Sequence, residues 1–405
     1  MMSKRLQHDD QAAALLFHAR SATPFCSPDG EPCASVPLSV DARHVLPLRS
    51  AAFRDWITAN YYSEYENAPS PVALRAALRT LEARARYGDL PAQRVGRRLS
   101  FEGDAFIPSK IILDLANSAG ETLEITSHGW TIADNLSHSF FQSPASLDLP
   151  RPSQPPAANH QSLDFFADLF RLSGADRTRV FTWLVAALRP IGPYPILVIQ
   201  GSAASGKSTL ARALRMFIDP STAPLRRLPE RASELDQLAQ CNWVLSFDPV
   251  QHMPARISEA LCALSSGEAV EIAQRDDRDP LVFPLARPII LVAPHDQRRG
   301  GWMPSHALSN RTLAVSRGDL TAPRRESDLW SRFEALHPAA LGALATAVST
   351  ALHNLRDIDV GNVNRLPDCA AWAASAAPAL GLEAADVIQA ISSSLPASAL
   401  APGHG

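Results

Sequence analysis

The stretch that decides the fold reads Gly201, Ser202, Ala203, Ala204, Ser205, Gly206, Lys207, Ser208 and Thr209. It fits the pattern G-x-x-x-x-G-K-[ST] at every fixed position, and this pattern is typical of loops that hold the phosphates of a nucleotide. The lysine is informative because the chain has only three lysines, and its other basic residues are arginines. A compact ammonium group reaches between β- and γ-phosphates, where a planar guanidinium does not replace it.

The segments on either side supply the context that such a loop needs. Residues 195–199 form a short apolar run, which predicts a strand buried on both faces. Apolar residues then recur at helical spacing from Leu210 to Phe217, until Asp219 and Pro220 end the predicted helix. A strand, a glycine-rich turn and a helix N-terminus point backbone N–H groups at an anion. The sequence therefore predicts a nucleotide site with ATP as its ligand; the alternative is a serine-rich turn before a helix.

Two oxygen ligands for Mg²⁺ are predicted beside this loop, the Ser208 hydroxyl and the Asp248 carboxylate. Asp248 ends the apolar run at residues 243–247, where an open parallel sheet has its functional edge. Magnesium prefers oxygen ligands, so we interpret Asp248 as the Walker B residue. The alternative is an Asp-Pro turn. Because Pro249 follows, the second carboxylate that many ATPases use to activate water is missing at this position.

Arg311 is the third candidate catalytic residue, after Lys207 and Asp248. It lies just before the last predicted strand, residues 312–316. A guanidinium there is placed to stabilise charge on the γ-phosphate of a neighbouring subunit. The alternative is a surface salt bridge.

The order of these elements indicates the fold class. A phosphate-loop strand, an Asp-terminated strand, a third apolar strand at residues 288–293 and a last strand after Arg311 follow the order of a parallel-sheet ATPase. We predict an α/β protein with a P-loop parallel-sheet ATPase core (AAA+-like, as the family resemblance described below implies), a C-terminal helical region and a small α+β N-terminal domain. The predicted boundaries are 1–141 for the N-terminal domain, 142–160 for a Pro-rich linker, 161–326 for the core, 327–397 for the helical region and 398–405 for a disordered tail.

The N-terminal domain is predicted to combine helices with a small antiparallel sheet. Residues 49–60 and 72–87 have helical patterns, and short alternating runs separated by turns fill residues 95–132. The second helix carries Arg75, Arg79, Arg84 and Arg86. These arginines form either a phosphate-facing surface or an ordinary solvated helix face.

Composition limits the class and the location of the protein. The 405 residues carry a net charge of −3, so the whole chain has no basic signature for nucleic acid, although one face can be locally basic. No run of 18 apolar residues and no signal peptide is present, so no membrane contact is expected. The five cysteines are scattered without a C-x-x-C pair, which predicts reduced thiols and a cytoplasmic protein.

Several segments between residues 175 and 391 carry a family resemblance. They are residues 183–195, the phosphate loop, and residues 218–225, 242–245, 258–262, 287–288, 310–311, 329–334 and 365–372. In these segments the chain resembles the helicase-like ATPases of bacteriophages and integrative elements, which stand near the superfamily-three and AAA+ ATPases. Residues 30–135 look like the accessory region that precedes the ATPase in those proteins. The resemblance implies a homo-oligomer such as a hexameric ring, single-stranded DNA as a partner, a primase supplied by another chain, and a role in DNA replication of a mobile element.

The sequence departs from that family at the sensor position and near the hairpin. The third strand of the family ends in a polar asparagine, but this chain has Val292 and Ala293 there, and His295 and Asp296 lie beyond a proline. The family's arginine leading to the hairpin is replaced near Glu271. These changes favour a second hypothesis, a nucleotide-dependent switch or scaffold that barely hydrolyses ATP. A small-molecule kinase is disfavoured because no substrate lid or basic anion pocket is evident.

Residues 268–283 are predicted to form a hairpin, with Arg275 and Arg278 at its tip as candidate nucleic-acid contacts. Five acidic residues surround them and give the segment a local charge of −3: Glu268, Glu271, Asp276, Asp277 and Asp279. We therefore expect weak, strongly salt-dependent binding of single-stranded DNA at this tip. Any tighter binding is expected from the arginine-rich helix around Arg79.

Overall fold

The computed structural model describes residues 8–28, 30–37, 43–134, 139–154, 160–272, 281–294, 305–319 and 324–393. Its first layer contains α1 (His8–His18), a 3-10 turn (Ala19–Ser21), β1 (Thr23–Cys26), β2 (Pro32–Pro37), β3 (Arg43–Pro47), α2 (Ala51–Tyr65) and α3 (Pro71–Tyr87). The three strands form an antiparallel sheet in chain order. Helix α3 begins at Pro71, and Ser70 caps it, because Ser70 Oγ accepts a hydrogen bond from Ala73 N at 3.2 Å.

The predicted antiparallel unit is confirmed. It consists of β5 (Leu99–Gly103), β6 (Pro108–Asp114), β7 (Glu121–Thr126) and β8 (Gly129–Asp134), which pair in sequence order. Strands β4 (Val95–Gly96) and β9 (Ser139–Phe140) lie on either side of this unit in the sequence and pair with each other in parallel, as a separate two-stranded sheet. Arg97 and Arg98 separate β4 from β5, and the Arg98 side chain turns into the protein interior, where it is 1% exposed.

A parallel sheet flanked by helices forms the centre of the molecule. Its elements are α4 (Gln161–Leu169), α5 (Gly174–Ala186), β10 (Ile196–Gly201), α6 (Lys207–Ile218), α7 (Ala232–Cys241), β11 (Leu245–Phe247), α8 (Ala255–Ser266), β12 (Ala269–Ile272), β13 (Leu281–Pro284), β14 (Ile289–Pro294), α9 (His306–Ser309) and β15 (Thr312–Arg317). The strand order is β11–β14–β10–β15, and all three pairings are parallel. Beyond β11, the run at residues 225–228 contributes a single parallel bridge, from Arg226 to Phe247.

Strand β10 is buried on both faces, as its apolar run predicts. Leu197 and Ile199 contribute to the large core that also includes α5 and α6. Ile196 and Val198 point to the other side, into a second core formed with α7 and α8. This alternation follows from the two-residue period of a strand. The sheet therefore has a helical layer on each face, which leaves the edges of the sheet as the places where a ligand can bind.

The C-terminal region is helical, as predicted, with α10 (Glu326–Asn354), α11 (Pro367–Leu380) and α12 (Ala384–Ser392). Within the described residues, α10 alone is long and apolar enough to cross a membrane by length and composition. Two-thirds of that apolar stretch, 67%, is buried inside the protein, which is typical of a core helix. Apolar packing against α11 and α4 therefore accounts for the composition of α10.

The antiparallel sheet and α10 share one hydrophobic core. Trp130 Nε1 donates to Thr346 Oγ1 at 3.1 Å, and Ser349 Oγ donates to the Thr126 carbonyl oxygen at 2.6 Å. A hydrogen bond also fixes the described part of the segment predicted as a linker, since Leu149 N donates to Leu115 O at 2.8 Å. The predicted domain boundaries remain a prediction, but Leu149, within the segment predicted as a linker, belongs to the same core as the antiparallel sheet and α10.

A buried ion cluster joins this sheet to the end of α6. Asp219 accepts a hydrogen bond from Arg98 Nε at 3.1 Å and forms an ion pair with Arg215 Nη1 at 2.8 Å. Its second oxygen also accepts from the backbone N–H groups of Trp243 and Val244, at 3.1 and 2.9 Å. Burial alone would raise the pKa of the Asp219 carboxyl, but the two guanidinium groups and the Val244 N–H together hold that pKa below its usual value.

Candidate nucleotide-binding site

The predicted phosphate loop connects β10 to α6. Strand β10 ends at Gly201, and α6 begins at Lys207. Gly206 precedes the helix with a φ of 80°, a left-handed conformation that glycine adopts without a steric penalty. Ala204 also has a positive φ, 60°, which costs energy for a residue with a side chain. The loop is thus held in a bent path that ends at a helix N-terminus.

Gly201 and Ser205 lie close together inside the loop. Gly201 lies opposite Arg317 in the pairing of β10 with β15, and a Cβ at Gly201 would collide with the Arg317 carbonyl oxygen. The same Cβ would lie 2.8 Å from Ser205 Oγ. Ser205 is fully buried, and its hydroxyl has no hydrogen-bond partner among the described residues. Since buried polar groups are normally satisfied, this hydroxyl is available to an anion inside the loop.

Lys207 points back into the loop. Its Nζ donates to the Ser202 carbonyl oxygen, and the Ser202 hydroxyl donates to the Asp319 carboxylate. Burial lowers the pKa of Lys207, and the Asp248 carboxylate opposes this by favouring the charged form. Lys207 and Asp248 are therefore within electrostatic reach of each other, as a shared nucleotide site requires.

Asp248 lies at the carboxyl end of β11, and its N–H donates to Arg226 O at 2.8 Å. Ser208 is exposed in the first turn of α6, at the same edge of the sheet. No group of three or more His, Cys, Asp or Glu side chains in the described ranges is arranged to hold a metal ion. One carboxylate and one hydroxyl suit Mg²⁺, which keeps several waters and binds mainly through phosphates and one or two protein oxygens.

A cavity of about 230 Å³ adjoins the loop, and sequence reasoning missed it. Its lining comprises Leu169, Phe170, Arg171, Gly206, Thr209, Arg317, Arg324, Glu326 and Leu329. Arg317 Nη1 donates to Arg171 O at 3.1 Å, and burial lowers the pKa of Arg317 while Asp176 raises it. Arg317 is the last residue of β15 and Asp319 follows it, so the rule that ligands bind at this edge of a parallel sheet was the available signal.

A larger open cleft of about 530 Å³ lies between α5 and α12, away from the loop. Its two arginines are already engaged: Arg177 pairs with Asp164 at 2.5 Å and Arg179 with Asp176 at 3.2 Å. The smaller cavity beside the loop is therefore the better candidate for the rest of a nucleotide.

Arg311 lies at the opposite end of the sheet from the loop. Its carbonyl oxygen accepts from Ile196 N at 2.7 Å, at the start of β10, whereas the loop follows the end of β10. Five residue steps of strand correspond to about 16 Å. The Arg311 side chain donates to Ser266 Oγ at 3.1 Å and to Ala307 O at 3.2 Å. This geometry separates Arg311 from the loop of its own chain.

Some of the remaining predicted residues lie within the described structure, and the others lie outside it. Val292 and Ala293 are buried at the end of β14, so their side chains offer no polar group to a nucleotide. The hairpin is confirmed as an antiparallel pair from Ala269–Pro284 to Ile272–Leu281. Arg275 and Arg278 lie outside the described residues, as do His295 and Asp296.

The fold and the loop thus define a mixed α/β protein whose parallel sheet carries a phosphate-loop sequence at its carboxyl edge. Residues 163–396, more than half of the chain, match the family described as actinomycete integrative conjugative element replication protein. This chain belongs to that family, and the predicted association with replication of a mobile element is confirmed to this extent.

Comparisons beyond the family give only distant likenesses. The C-terminal region of NrS-1 has a TM-score of 0.43 at 9% identity, covering 83% of this chain and 68% of that one. The SCCmec type IV Cch helicase has a TM-score of 0.41 at 11% identity, with coverages of 93% and 71%. JCV helicase has a TM-score of 0.25 at 12% identity, with coverages of 56% and 75%. No curated protein matches the chain significantly. The family match, and not these likenesses, supports a role in replication.

Proposed function

We propose that this protein is an ATP-binding and ATP-hydrolysing helicase-like protein that acts on DNA during replication of an integrative element. The observation that carries the proposal is the phosphate loop at the carboxyl edge of the parallel sheet, in a chain of a replication family. The strand order β11–β14–β10–β15, with the run at residues 225–228 beyond β11, supports a P-loop AAA+-like core.

The residues of the loop divide the task of holding ATP. The backbone N–H groups of the loop and the N-terminus of α6 bind phosphate oxygens, and Lys207 neutralises their charge. Ser208 and Asp248 hold Mg²⁺, which when bound polarises the phosphates. Phe170 and Leu329 offer apolar surface to the base in the adjoining cavity. Within the proposal, the buried Ser205 hydroxyl finds its missing partner in a phosphate oxygen.

The second candidate is a nucleotide-dependent switch or scaffold that binds ATP but barely hydrolyses it. It is supported by Pro249 at the position of a second carboxylate and by the apolar Val292 and Ala293 at the sensor position. ATP turnover of the full chain, measured with and without single-stranded DNA, separates the two. We expect turnover that DNA stimulates; nucleotide binding without turnover in either condition favours the switch, and no nucleotide binding contradicts both.

The position of Arg311 leads us to propose a homo-oligomer, such as a hexameric ring. Arg311 is about 16 Å along the sheet from its own loop, so its guanidinium serves a neighbouring subunit's nucleotide. We expect Arg311→Ala and Lys207→Ala subunits to be inactive separately and to recover part of the ATP turnover when mixed, because mixed interfaces combine one intact loop with one intact arginine. A primase partner and a cytoplasmic location stay predictions from sequence.

The control for this mixing experiment is Arg356→Ala, which removes an exposed arginine just after α10. Alone, this variant should keep full ATP turnover. Mixed with Lys207→Ala, it should give the turnover of its own subunits and no recovery beyond that. Absence of recovery with Arg311→Ala, together with a monomeric mass in the presence of ATP, would contradict action between subunits.

A further inference from the structure

Helix α3 has one buried and one exposed face. Ala73, Ala77, Leu81 and Ala85 are buried against the first-layer core, which includes residues of α1, β2 and α2. At 100° per residue, the opposite side of the helix carries Arg75, Arg79 and Arg86, within about 40° of one another. All three are exposed. We refer to Arg75, Arg79 and Arg86 as the arginine row.

The arginine row runs along the helix axis. At 1.5 Å per residue, Arg79 lies about 6 Å beyond Arg75, and Arg86 lies about 10.5 Å beyond Arg79. A surface of this length, about 16 Å, faces several consecutive phosphates of one nucleic-acid strand, since a strand in a duplex has one phosphate per about 3.4 Å of axis. The guanidinium groups thus form a linear array that matches a linear array of negative charges.

The acidic groups near the row leave it positive. Glu82 of α3 is largely buried and forms a bidentate contact with Arg49, at 3.2 and 3.1 Å. In α1, which packs on α3, Asp9 and Asp10 are exposed beside Gln11, whose Oε1 accepts from Ser70 N at 2.9 Å. These carboxylates therefore lie towards the N-terminal end of the row. Asp89 follows the C-terminal end of the helix.

The ion pairs of the described residues include none for the three arginines of the row, unlike Arg49 in the same layer. An exposed arginine that makes no hydrogen bond within the protein has all of its donors available for a ligand. The row therefore has both the charge and the donors that phosphate binding uses.

Tyr87 follows Arg86 as the last residue of α3, about 100° around the helix from the centre of the arginine row. Its side chain is 86% exposed, although large aromatic side chains are usually buried at least in part. An exposed aromatic ring beside a positively charged track is the combination that binds single strands, because unpaired bases stack on the ring while arginines contact the backbone. A paired duplex does not offer its base faces to such a ring.

We propose that the arginine row and Tyr87 form a binding surface for single-stranded nucleic acid. This surface lies outside residues 163–396, which carry the family match, and it does not depend on ATP binding. It gives the chain a DNA contact that is separate from the hairpin between β12 and β13.

The test is fluorescence anisotropy of the full chain with a labelled 20-nucleotide oligothymidine and with a 20-base-pair duplex, without nucleotide, over a series of salt concentrations. For the single strand, Arg75→Gln with Arg79→Gln is expected to reduce the slope of log K against log salt by about 1.4. At 0.1 M salt this corresponds to a loss of about 25-fold in affinity. Tyr87→Ala is expected to weaken binding of the single strand and leave the duplex unchanged.

The matched control is Arg332→Gln with Arg356→Gln, which removes one exposed arginine on α10 and one just after it, and should leave the slope unchanged. Thermal unfolding of each variant checks that the fold is retained. Lys207→Ala should bind the single strand normally, which separates this surface from the proposed ATP site. Equal slopes for Arg75→Gln with Arg79→Gln and for the control variant would overturn the proposal. A loss that is equal on both probes, with no effect of Tyr87→Ala, would overturn the assignment to single strands.

Discussion

Replacing Asp219 with asparagine is expected to lower the free energy of unfolding by about 3–5 kcal/mol, the largest effect of any single substitution that we predict. The change keeps the size of the side chain but removes the negative charge between Arg98 and Arg215, which are 1% and 3% exposed. Two buried guanidinium groups then lose their counter-charge, and two backbone N–H groups lose a charged acceptor. Urea unfolding followed by circular dichroism measures the difference.

Asp168→Asn is the control for this experiment, because Asp168 is an exposed aspartate on α4. It should change the free energy of unfolding by no more than about 0.5 kcal/mol. If Asp219→Asn were as small in effect as Asp168→Asn, the cluster would not hold the sheet and α6 together as we describe.

Lys207→Ala is expected to weaken ATP binding by about 2–3 kcal/mol, which corresponds to an increase in Kd of about 30- to 150-fold. The ammonium group is the charged donor of the loop, and its contact with the Ser202 carbonyl shows that it reaches into the loop interior. Isothermal titration calorimetry with Mg-ATP measures this loss. Turnover should fall with it, because the same charge stabilises the phosphates during hydrolysis.

Lys110→Ala provides a matched loss of one lysine far from the loop. Lys110 lies on β6 and pairs with Glu124 at 2.8 Å, so its removal should leave the affinity for Mg-ATP unchanged. Equal affinities of the wild type and Lys207→Ala for Mg-ATP would show that Lys207 does not contribute to ATP binding.

The central sheet was predictable because its strands are short apolar runs that are buried on both faces, and such runs stand out from helical periodicity. The phosphate loop was predictable because its spacing carries its own chemistry. Strands β1 and β3 and helix α1 were not predicted, since the first 48 residues are polar and rich in proline and show little periodicity. These three elements form because they pack on α2 and α3, and no local sequence pattern indicates them.

Contacts between distant residues could not be predicted in the same way. Arg98 and Asp219 are 121 positions apart, and nothing in the sequence near either residue indicates the other. Arg317 and Asp319 join the site because β15 lies beside β10, which requires the pairing of two strands that are over 100 residues apart. Sequence reasoning named the residues whose proposed roles follow from a motif, and missed those that strand pairing brings beside them.

The shared core of the antiparallel sheet and α10 has a consequence for how such proteins diversify. The family match begins at residue 163, but Leu99, Ile111 and Leu123 lie in the same core as α10, and Arg98 compensates Asp219. A recombination event at the family boundary would give α10 a foreign partner and leave Asp219 with one arginine instead of two. We therefore expect residues 95–154 to be inherited together with the sheet that follows them. Residues 8–87 have a core of their own, apart from the packing of Phe25, Cys33 and Val45 on Val95, and are the part that we expect to be exchanged between relatives.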